Sequence, residues 1–266
     1  MSSALVLKVG GELFDSAEKR RALITQIGQL RKRPEPLVLV HGGGPQISRL
    51  AEKIGITPRF VRGQRVTDAE TIRVVSMVLL GEINAPFVAE LNAAKIAAVG
   101  INGADVGLFQ AVAADPELGF VGRVEALNCT IINSLTAQGI MPVVASLGAD
   151  MHGVLYNINA DIAAGQLAGA LKARRLVAVT NVKGLYRQFG NEESFIQRAS
   201  ISEIESLLAA GAIASGMIPK LEGLLIALRS GAAEAQIVDG RDPSTILEQI
   251  DATPPLGTVI YRSDDR

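Results

Sequence analysis

The chain has 266 residues, of which 48% are hydrophobic and 20% are charged. This length and composition exclude a largely disordered chain and are typical of a globular protein with a full-sized core. The formal net charge is −1, and because there is no basic surplus we expect no nucleic acid among the partners.

Short apolar runs alternate with stretches of helical period along most of the chain. This alternation predicts βαβ units, and therefore an α/β fold with a largely parallel sheet and helices on both faces. The glycine-interrupted stretches 58–67, 107–126 and 147–158 are interpreted as hairpins or loops beside the sheet. In chain order the sequence predicts strand 4–9, helix 17–31, strand 36–40, helices 45–54 and 68–94, strand 96–101, helix 128–138, strand 141–145, helix 160–172, strand 175–180, helices 201–211 and 217–230, and strands 235–239 and 257–261.

Reactive residue types are scarce. Cys129 is the only cysteine, which excludes an intrachain disulfide and a cysteine-based zinc site, and two histidines are too few for us to expect a histidine-built metal site. The first residues lack the basic segment of a signal peptide, and no apolar run reaches the roughly 18 residues of a membrane helix. We therefore expect a cytoplasmic protein without membrane contact.

Glycine-rich turns follow the first two predicted strands. Gly10 and Gly11 come just after the strand that contains Lys8, and Gly42–Gly44 follow the second strand. Backbone N–H groups approach an anion closely where Cβ atoms are missing, and the helix after each turn adds its dipole. The two turns predict a phosphate site, although neither a P-loop nor a dinucleotide fingerprint is present. Tight turns without any ligand are the alternative.

Two lysines stand at positions where a cation is costly. Lys8 lies in an apolar strand, and a buried ammonium needs an anionic partner. Lys220, in GMIPKLEG, falls in the first turn of a predicted helix, where a cation opposes the helix dipole. Both positions indicate an anionic ligand. The alternative is that each ammonium group reaches solvent and needs no anionic partner.

Two further segments supply polar candidates. In NINAD (157–161), Asp161 is a candidate for holding ammonium groups and Asn157 for binding substrate, but Asn159 or Asp161 could simply cap the next helix. In GQRVTD (63–68), Arg65 suits a carboxylate, which a guanidinium binds bidentately. A structural ion pair is the alternative for Arg65, and Thr67 or Asp68 is the expected cap of the long helix that follows.

The segments KVGGE, HGGGPQIS, GQRVTD, NINAD, GMIPKLE and VDGRDP…GTVI occur in this order across nearly the whole chain. Together they resemble the N-acetylglutamate kinases of the amino acid kinase family. The resemblance implies a three-layer α/β/α sandwich with a mostly parallel central sheet, formed by a single domain over residues 1–266. Its N-terminal lobe, 1–172, would bind the acyl-amino acid, and its C-terminal lobe, 173–266, would bind ATP.

The resemblance also implies an activity, which is phosphorylation of the side-chain carboxylate of N-acetylglutamate in arginine biosynthesis. ATP would be the donor, with Mg²⁺ held mainly by its phosphates and no metal ligands from the protein. A kinase for an N-blocked aminoadipate, or a non-catalytic amino-acid or nucleotide sensor, is the alternative. Helix 69–83 is more apolar than one core-facing stripe requires, and together with the resemblance it predicts a homodimer.

Carried over residue by residue, the resemblance makes Lys8, Lys220 and Asp161 catalytic. The lysines would contact the transferring phosphoryl group, and Asp161 would orient them. The substrate-binding residues would be Gly43, Gly44, Arg65 and Asn157, and the nucleotide-binding residues would be Gly10, Gly11, Asn181, Gly184 and Lys220. Asn181 stands where family members often carry aspartate, a departure that could weaken a contact to the nucleotide.

Overall fold

The computed structural model describes residues 3–188 and 191–262. Its strands are β1 Leu5–Val9, β2 Leu37–His41, β3 Phe60–Val61, β4 Gln64–Arg65, β5 Ala98–Asn102, β6 Phe109–Ala113, β7 Gly122–Leu127, β8 Met141–Ala145, β9 Leu147–Ala149, β10 Leu155–Asn157, β11 Arg175–Thr180, β12 Leu185–Tyr186, β13 Phe195–Ile196, β14 Arg198–Ser200, β15 Glu234–Asp239 and β16 Thr258–Tyr261. Its α-helices are α1 Ala17–Leu30, α2 Gly44–Lys53, α3 Ala69–Ser76, α4 Ala85–Ala93, α5 Thr130–Ala137, α6 Ala160–Ala170, α7 Ile201–Ala209, α8 Ile218–Arg229 and α9 Ile246–Asp251.

One eight-stranded sheet runs through the centre of the protein, in the order β14-β16-β15-β11-β1-β2-β8-β5. All neighbours are parallel except β15 and β16. All seven predicted strands lie in this sheet, so the predicted α/β class is confirmed. The chain turns in opposite directions from β1 and β11, and in such open sheets ligands bind where the carboxyl ends of the strands meet.

Two hydrophobic cores cover the two faces of the sheet, as a three-layer sandwich requires. Because side chains alternate along a strand, Leu5, Leu7 and Val9 of β1 pack into the core beneath α1, α2, α3, α4 and α9. Val6 faces the other core, which α5, α6, α7 and α8 cover. Lys8 has the parity of Val6, and its side chain therefore lies on the side of α6 and α8.

The three glycine-interrupted stretches form hairpins beside the main sheet, as predicted. β3 and β4 make a short hairpin, and β6, β7, β9 and β10 join into a four-stranded sheet in the order β10-β9-β6-β7. The sequence did not predict that two of the stretches share one sheet, since each pairing depends on contacts distant in the chain. Helix α9 was also missed, because its six residues are too few to show helical period.

The predicted helix 68–94 is one continuous helical segment, Ala69–Ala93, which Asp68 caps by accepting a hydrogen bond from the Thr71 amide. Its central part, Met77–Asn84, is wound as a π-helix. By length and composition this segment is able to cross a membrane, a property that the search for apolar runs in the sequence did not find. That property carries little weight here, since buried core helices share it and Leu79 and Phe87 are each only 1% exposed.

Candidate active site

The side chains of Lys8, Asp161 and Lys220 meet at the carboxyl edge of the sheet. Lys8 Nζ lies 2.8 Å from Asp161 Oδ1, and Lys220 Nζ lies 3.6 Å from Asp161 Oδ2. The side chains of Lys8 and Asp161 are 7% and 11% exposed, and that of Lys220 is 24% exposed. Three residues from distant parts of the chain therefore form one half-closed cluster, as the sequence predicted.

The cluster has more positive than negative charge. Burial acts to raise the pKa of Asp161, but attraction from Lys8 and Lys220 outweighs it and keeps the pKa below its usual value, so the carboxylate is ionised. The pKa of Lys220 is lowered, first by burial and then by repulsion from Lys8, although Asp161 opposes both effects. Two ammonium groups thus share one carboxylate, and an anionic ligand would relieve their repulsion.

Helix geometry brings Asp161 to the lysines. Asn159 is the N-cap of α6, where its side chain accepts hydrogen bonds from the amides of Asp161 and Ile162. This settles which residue caps the helix and leaves the Asp161 carboxylate free to bind ammonium groups. Lys220 lies in the first turn of α8, as predicted.

Glycines let α6 and α8 pack unusually close to each other. A Cβ on Gly165 would lie 2.1 Å from the Gly223 carbonyl oxygen, and a Cβ on Gly223 would lie 2.3 Å from the Asp161 carbonyl oxygen. Neither position tolerates a side chain without movement of the backbone. The close contact aligns the amino ends of the two helices and holds Lys220 within reach of Asp161.

Two cavities of about 290 Å³ each meet at the cluster. Lys8, Gly10, Gly11 and Lys220 line both of them. The first cavity also contains Asn181 and extends over the ends of β11 and β15; its further lining residues are Glu12, Leu13, Lys19, Pro45, Val179, Thr180, Gly240 and Arg241. A molecule in one cavity would therefore face a molecule in the other across the two lysines.

The second cavity brings together the predicted substrate-binding residues Gly43, Gly44, Arg65 and Asn157. Asp161 also lines it, as does the buried Ser146, which follows β8. Sequence reasoning missed Ser146, and its position after an apolar strand is the signal that could have identified it.

Arg65 reaches the second cavity from the β3–β4 hairpin. Its Nη2 donates to the Gly44 carbonyl at 3.0 Å and to Ser48 Oγ at 2.8 Å, and its guanidinium lies 4.8 Å from the Phe60 ring centroid. Its Nη1 is buried and has no hydrogen-bond partner. An unpaired buried donor is costly, which makes this nitrogen a candidate donor to an anionic ligand in the second cavity.

The two glycine turns contact each other, and their glycines serve different purposes. A Cβ on Gly11 would lie 2.5 Å from Gln46 Oε1, and a Cβ on Gly43 would lie 2.5 Å from Ile83 Cδ1, so both are needed for packing. Gly10 and Gly44 have nothing within 4 Å of the Cβ position, and both line the second cavity. Their bare backbone leaves room for a ligand.

Gly184 is the one predicted site residue that lines neither large cavity. It lines a smaller apolar cavity together with Val182, Leu185 and Met217, among others. A Cβ there would lie 2.5 Å from Thr258 Oγ1, so close packing against β16 already accounts for this glycine. Its role in nucleotide binding stays a prediction.

The sequence profile of the amino acid kinase family matches residues 3–239. The chain belongs to the amino acid kinase family. The match includes each residue of the lysine cluster and every residue that lines the second cavity.

Relatives of this amino acid kinase match nearly their full length. The acetylglutamate kinase of Methanopyrus kandleri is 42% identical over 88% of this chain and 94% of its own. That of Symbiobacterium thermophilum is 38% identical over 97% of this chain and 91% of its own. Among solved structures, an N-acetylglutamate synthase from Neisseria gonorrhoeae, complexed with coenzyme A and N-acetyl-glutamate, has a TM-score of 0.85 at 25% identity; the match covers 98% of this chain and 60% of the synthase.

Proposed function

We propose that this amino acid kinase transfers the terminal phosphoryl group of ATP to the side-chain carboxylate of N-acetylglutamate, a step of arginine biosynthesis. The observation that carries the proposal is the shared boundary of the two cavities, where Lys8 and Lys220 meet Asp161. Donor and acceptor would enter from opposite sides and meet at the lysines. Use of ATP fits the cytoplasmic location that we expect from the sequence.

The first cavity fits a triphosphate. Lys8 and Lys220 would contact its terminal phosphate, and the amides of Gly10 and Gly11 would donate hydrogen bonds beside them. Asn181 and Arg241 border the far side of this cavity. The apolar cavity at Gly184 and Met217 offers walls suited to the face of a base. The N-terminal part of the site, 8–45, therefore shares ATP binding with the C-terminal lobe.

The second cavity fits N-acetylglutamate. Arg65, with its unpaired buried Nη1, would bind the α-carboxylate. Asn157 offers a side-chain amide to the acetamido group; its Nδ2 donates only a long 3.3 Å hydrogen bond, to Thr67. The side-chain carboxylate would then point at the lysine cluster, with Gly43 and Gly44 beside it.

The residues of the site match the chemistry of the transfer. A carboxylic acid of pKa about 4 is ionised at neutral pH, so the nucleophile needs no general base. The difficulty is that an anion must approach a polyanion, and phosphoryl transfer depends mainly on alignment and on stabilisation of negative charge. The two ammonium groups and the glycine amides supply that stabilisation, while Asp161 keeps the ammonium groups at a fixed separation.

The proposal includes Mg²⁺ held mainly by the phosphates of ATP. Among residues 3–188 and 191–262, no group of three or more His, Cys, Asp or Glu side chains is arranged to hold a metal ion. When bound, Mg²⁺ would neutralise part of the phosphate charge.

A substrate panel tests the function. ATP consumption and acyl-phosphate formation would be measured with N-acetylglutamate, N-acetylaminoadipate, glutamate and aspartate. We expect the highest kcat/KM with N-acetylglutamate. A preference for N-acetylaminoadipate would contradict the proposed substrate, and saturable binding without turnover of any substrate would instead indicate a sensor.

We further propose that the active form is a homodimer whose interface contains the outer face of the helical segment Ala69–Ala93. Met77, an apolar side chain at the start of the π-helical part, is 61% exposed. Val99, in the edge strand β5, is also exposed at 37%. A second copy would cover both apolar side chains and the unpaired edge of the sheet.

A further inference from the structure

His41 ends β2, immediately before the three glycines, and is fully buried. Its Nδ1 lies 3.1 Å from the Gly42 carbonyl oxygen, and its Nε2 lies 2.9 Å from Asn84 Nδ2. Asn84 Nδ2 also lies 2.9 Å from the Val143 carbonyl oxygen. The four groups form one buried chain of hydrogen bonds that ends at the glycine turn of the second cavity.

The Val143 carbonyl determines the direction of every hydrogen bond in this chain. A carbonyl oxygen only accepts, so the Asn84 group facing it must be the amide nitrogen, as the structure has it. That nitrogen is a donor only, and His41 Nε2 must therefore accept its second hydrogen. A neutral imidazole that accepts at Nε2 carries its proton at Nδ1, and this proton is donated to the Gly42 carbonyl.

The direction of the Gly42 carbonyl also determines that of the next amide. Carbonyl and N–H of a trans peptide point in opposite directions, because the unit is planar. Holding the Gly42 oxygen against the imidazole thus turns the Gly43 N–H away from it. Gly43 lines the second cavity. Two glycines flank this peptide, and since glycine backbone adopts more conformations than that of other residues, the hydrogen bond from the imidazole restricts its orientation.

We propose that His41 is a positioning residue for the transfer reaction: in its Nδ1–H tautomer, selected by Asn84, it orients the Gly42–Gly43 peptide so that the Gly43 N–H faces the anionic groups of the second cavity. This inference rests on the proposed function, because it assumes that an anion occupies that cavity. His41 itself touches neither substrate and exchanges no proton.

The π-helical part of the segment Ala69–Ala93 holds both His41 and the glycine turn in place. It ends at Asn84 and so supplies the amide that selects the tautomer, and its Leu79 and Ile83 pack where a Cβ of Gly43 would be. Burial also lowers the pKa of His41 to about 4, which keeps the ring neutral at the pH of the cell. π-helical turns occur often at functional sites, and this one packs against Gly43 and forms a hydrogen bond to His41 just before the turn.

Two histidine variants separate orientation from packing. His41→Leu keeps the approximate volume and removes the donor, whereas His41→Asn retains an amide N–H near the position of Nδ1. We expect His41→Leu to lower kcat by at least about tenfold and His41→Asn to stay within about threefold of the wild type. The KM for ATP should be the same in both variants as in the wild type, because Gly42 and Gly43 do not line the first cavity. Thermal unfolding of both variants reports any loss of folded protein.

A spectroscopic measurement tests the tautomer independently of activity. ¹⁵N-histidine NMR of the wild type should show a protonated Nδ1 and a bare Nε2 for His41, with His152→Gln used to assign the two rings. Should His41→Leu fail to fold, Asn84→Ala serves instead, and it should mix the tautomers and lower kcat.

A proton on Nε2, or equal kcat values for the Leu and Asn variants, would overturn the inference. Absence of phosphorylation by the wild type would instead contradict the proposed function, and the NMR result would still stand.

Discussion

At the scale of single residues, one buried carboxylate forms ion pairs with the two lysines of the proposed active site. Lys8 is fixed by the strand that bears it and by a 2.8 Å ion pair, whereas Lys220 is more exposed and 3.6 Å from the same carboxylate. The tighter and more buried lysine has the less freedom to move, and we assign it the larger share in aligning the terminal phosphate.

Lys8→Ala should lower kcat for phosphoryl transfer by about 10²–10³-fold, as loss of one directly bonded charge-stabilising donor does in other enzymes. Lys220→Ala should lower kcat to a similar or smaller extent. Kinetics with saturating ATP and N-acetylglutamate provide the measurement. The control is Lys53→Ala, at the exposed end of α2, and a near-normal kcat for Lys8→Ala would disprove the assigned role.

Arg65→Ala should mainly raise the KM for N-acetylglutamate, by about 10–100-fold if one or two charged hydrogen bonds to the α-carboxylate are lost. Arg65→Lys should restore little, because an ammonium cannot donate in the forked geometry. Initial rates over a range of substrate concentrations give the split between KM and kcat. Arg62→Asn, at the exposed turn of the same hairpin, is the matched control; an equal rise in its KM would point to the hairpin rather than to the guanidinium.

The buried His41 predicts a pH dependence of stability. Its pKa is about 4 in the folded protein against 6.5 in the unfolded chain, so between these values the unfolded chain binds the extra proton. Stability must therefore fall as the pH drops from about 6.5 towards 4, by roughly 3 kcal/mol in total. Urea unfolding at several pH values should show this slope, and His41→Asn should flatten it. His152→Gln, in an exposed loop, should leave the slope as it is, and an unchanged slope in His41→Asn would refute the assignment.

At the scale of elements, the contact between α6 and α8 determines whether the lysine cluster can form. The helices meet at Gly165 and Gly223 with backbone against backbone. Since the amino ends of these helices carry Asp161 and Lys220, their spacing is also the spacing of the two charged groups.

Gly223→Ala should push α8 away from α6, because the added Cβ would lie 2.3 Å from a backbone oxygen that cannot move aside. Overpacking of this kind costs about 1–3 kcal/mol of stability, and the altered spacing should lower kcat more than the loss of folded protein accounts for. The two quantities are compared by thermal unfolding and by kinetics. Gly216→Ala, just before α8 with open space at its Cβ, should change neither; unaltered kcat in folded Gly223→Ala protein would argue against the spacing role.

At the scale of the whole molecule, a single sheet joins the two halves of the chain. β1 from the N-terminal half pairs with β11 from the C-terminal half in the middle of that sheet. The glycine turn Gly10–Gly11 that follows β1 therefore lines both cavities. The division near residue 173 separates segments of sequence, whereas the first cavity takes residues from both sides of it.

The proposed dimer is tested on the intact protein. Met77→Glu should convert a dimer to a monomer, because it would bury an unpaired charge in an apolar interface. Light scattering after gel filtration measures the mass. Met151→Glu changes a still more exposed methionine, at 84%, in the turn between β9 and β10, and should leave the mass unchanged. A wild-type mass of one chain would refute the dimer directly.

The sequence predicted the elements and the cluster better than it predicted contacts between distant segments. Strands and helices followed from hydrophobic period, and Lys8 and Lys220 from cations in costly positions. Asp161 followed from the NINAD segment together with the family resemblance. The unpaired nitrogen of Arg65 and the hydrogen-bond chain of His41 were not predictable, because both depend on how segments distant in the sequence are placed in the fold. The π-helical turn was not predictable either, because its apolar sequence reads as a continuation of the flanking helix. Ser146 directly follows the predicted strand 141–145, and that position could have identified it.

Because Lys8, Gly10, Gly11 and Lys220 border both cavities, one compound could occupy the two at once. A bisubstrate analogue, in which a nucleoside polyphosphate is tethered to an acylated amino acid, would lose its rigid-body freedom only once, so its affinity should exceed that of either half alone. Its best tether would be about as long as the distance between the donor oxygen that the phosphoryl group leaves and the carboxylate oxygen that it joins. The shared boundary of the two cavities therefore suggests selective inhibitors that bind across both cavities rather than in one of them.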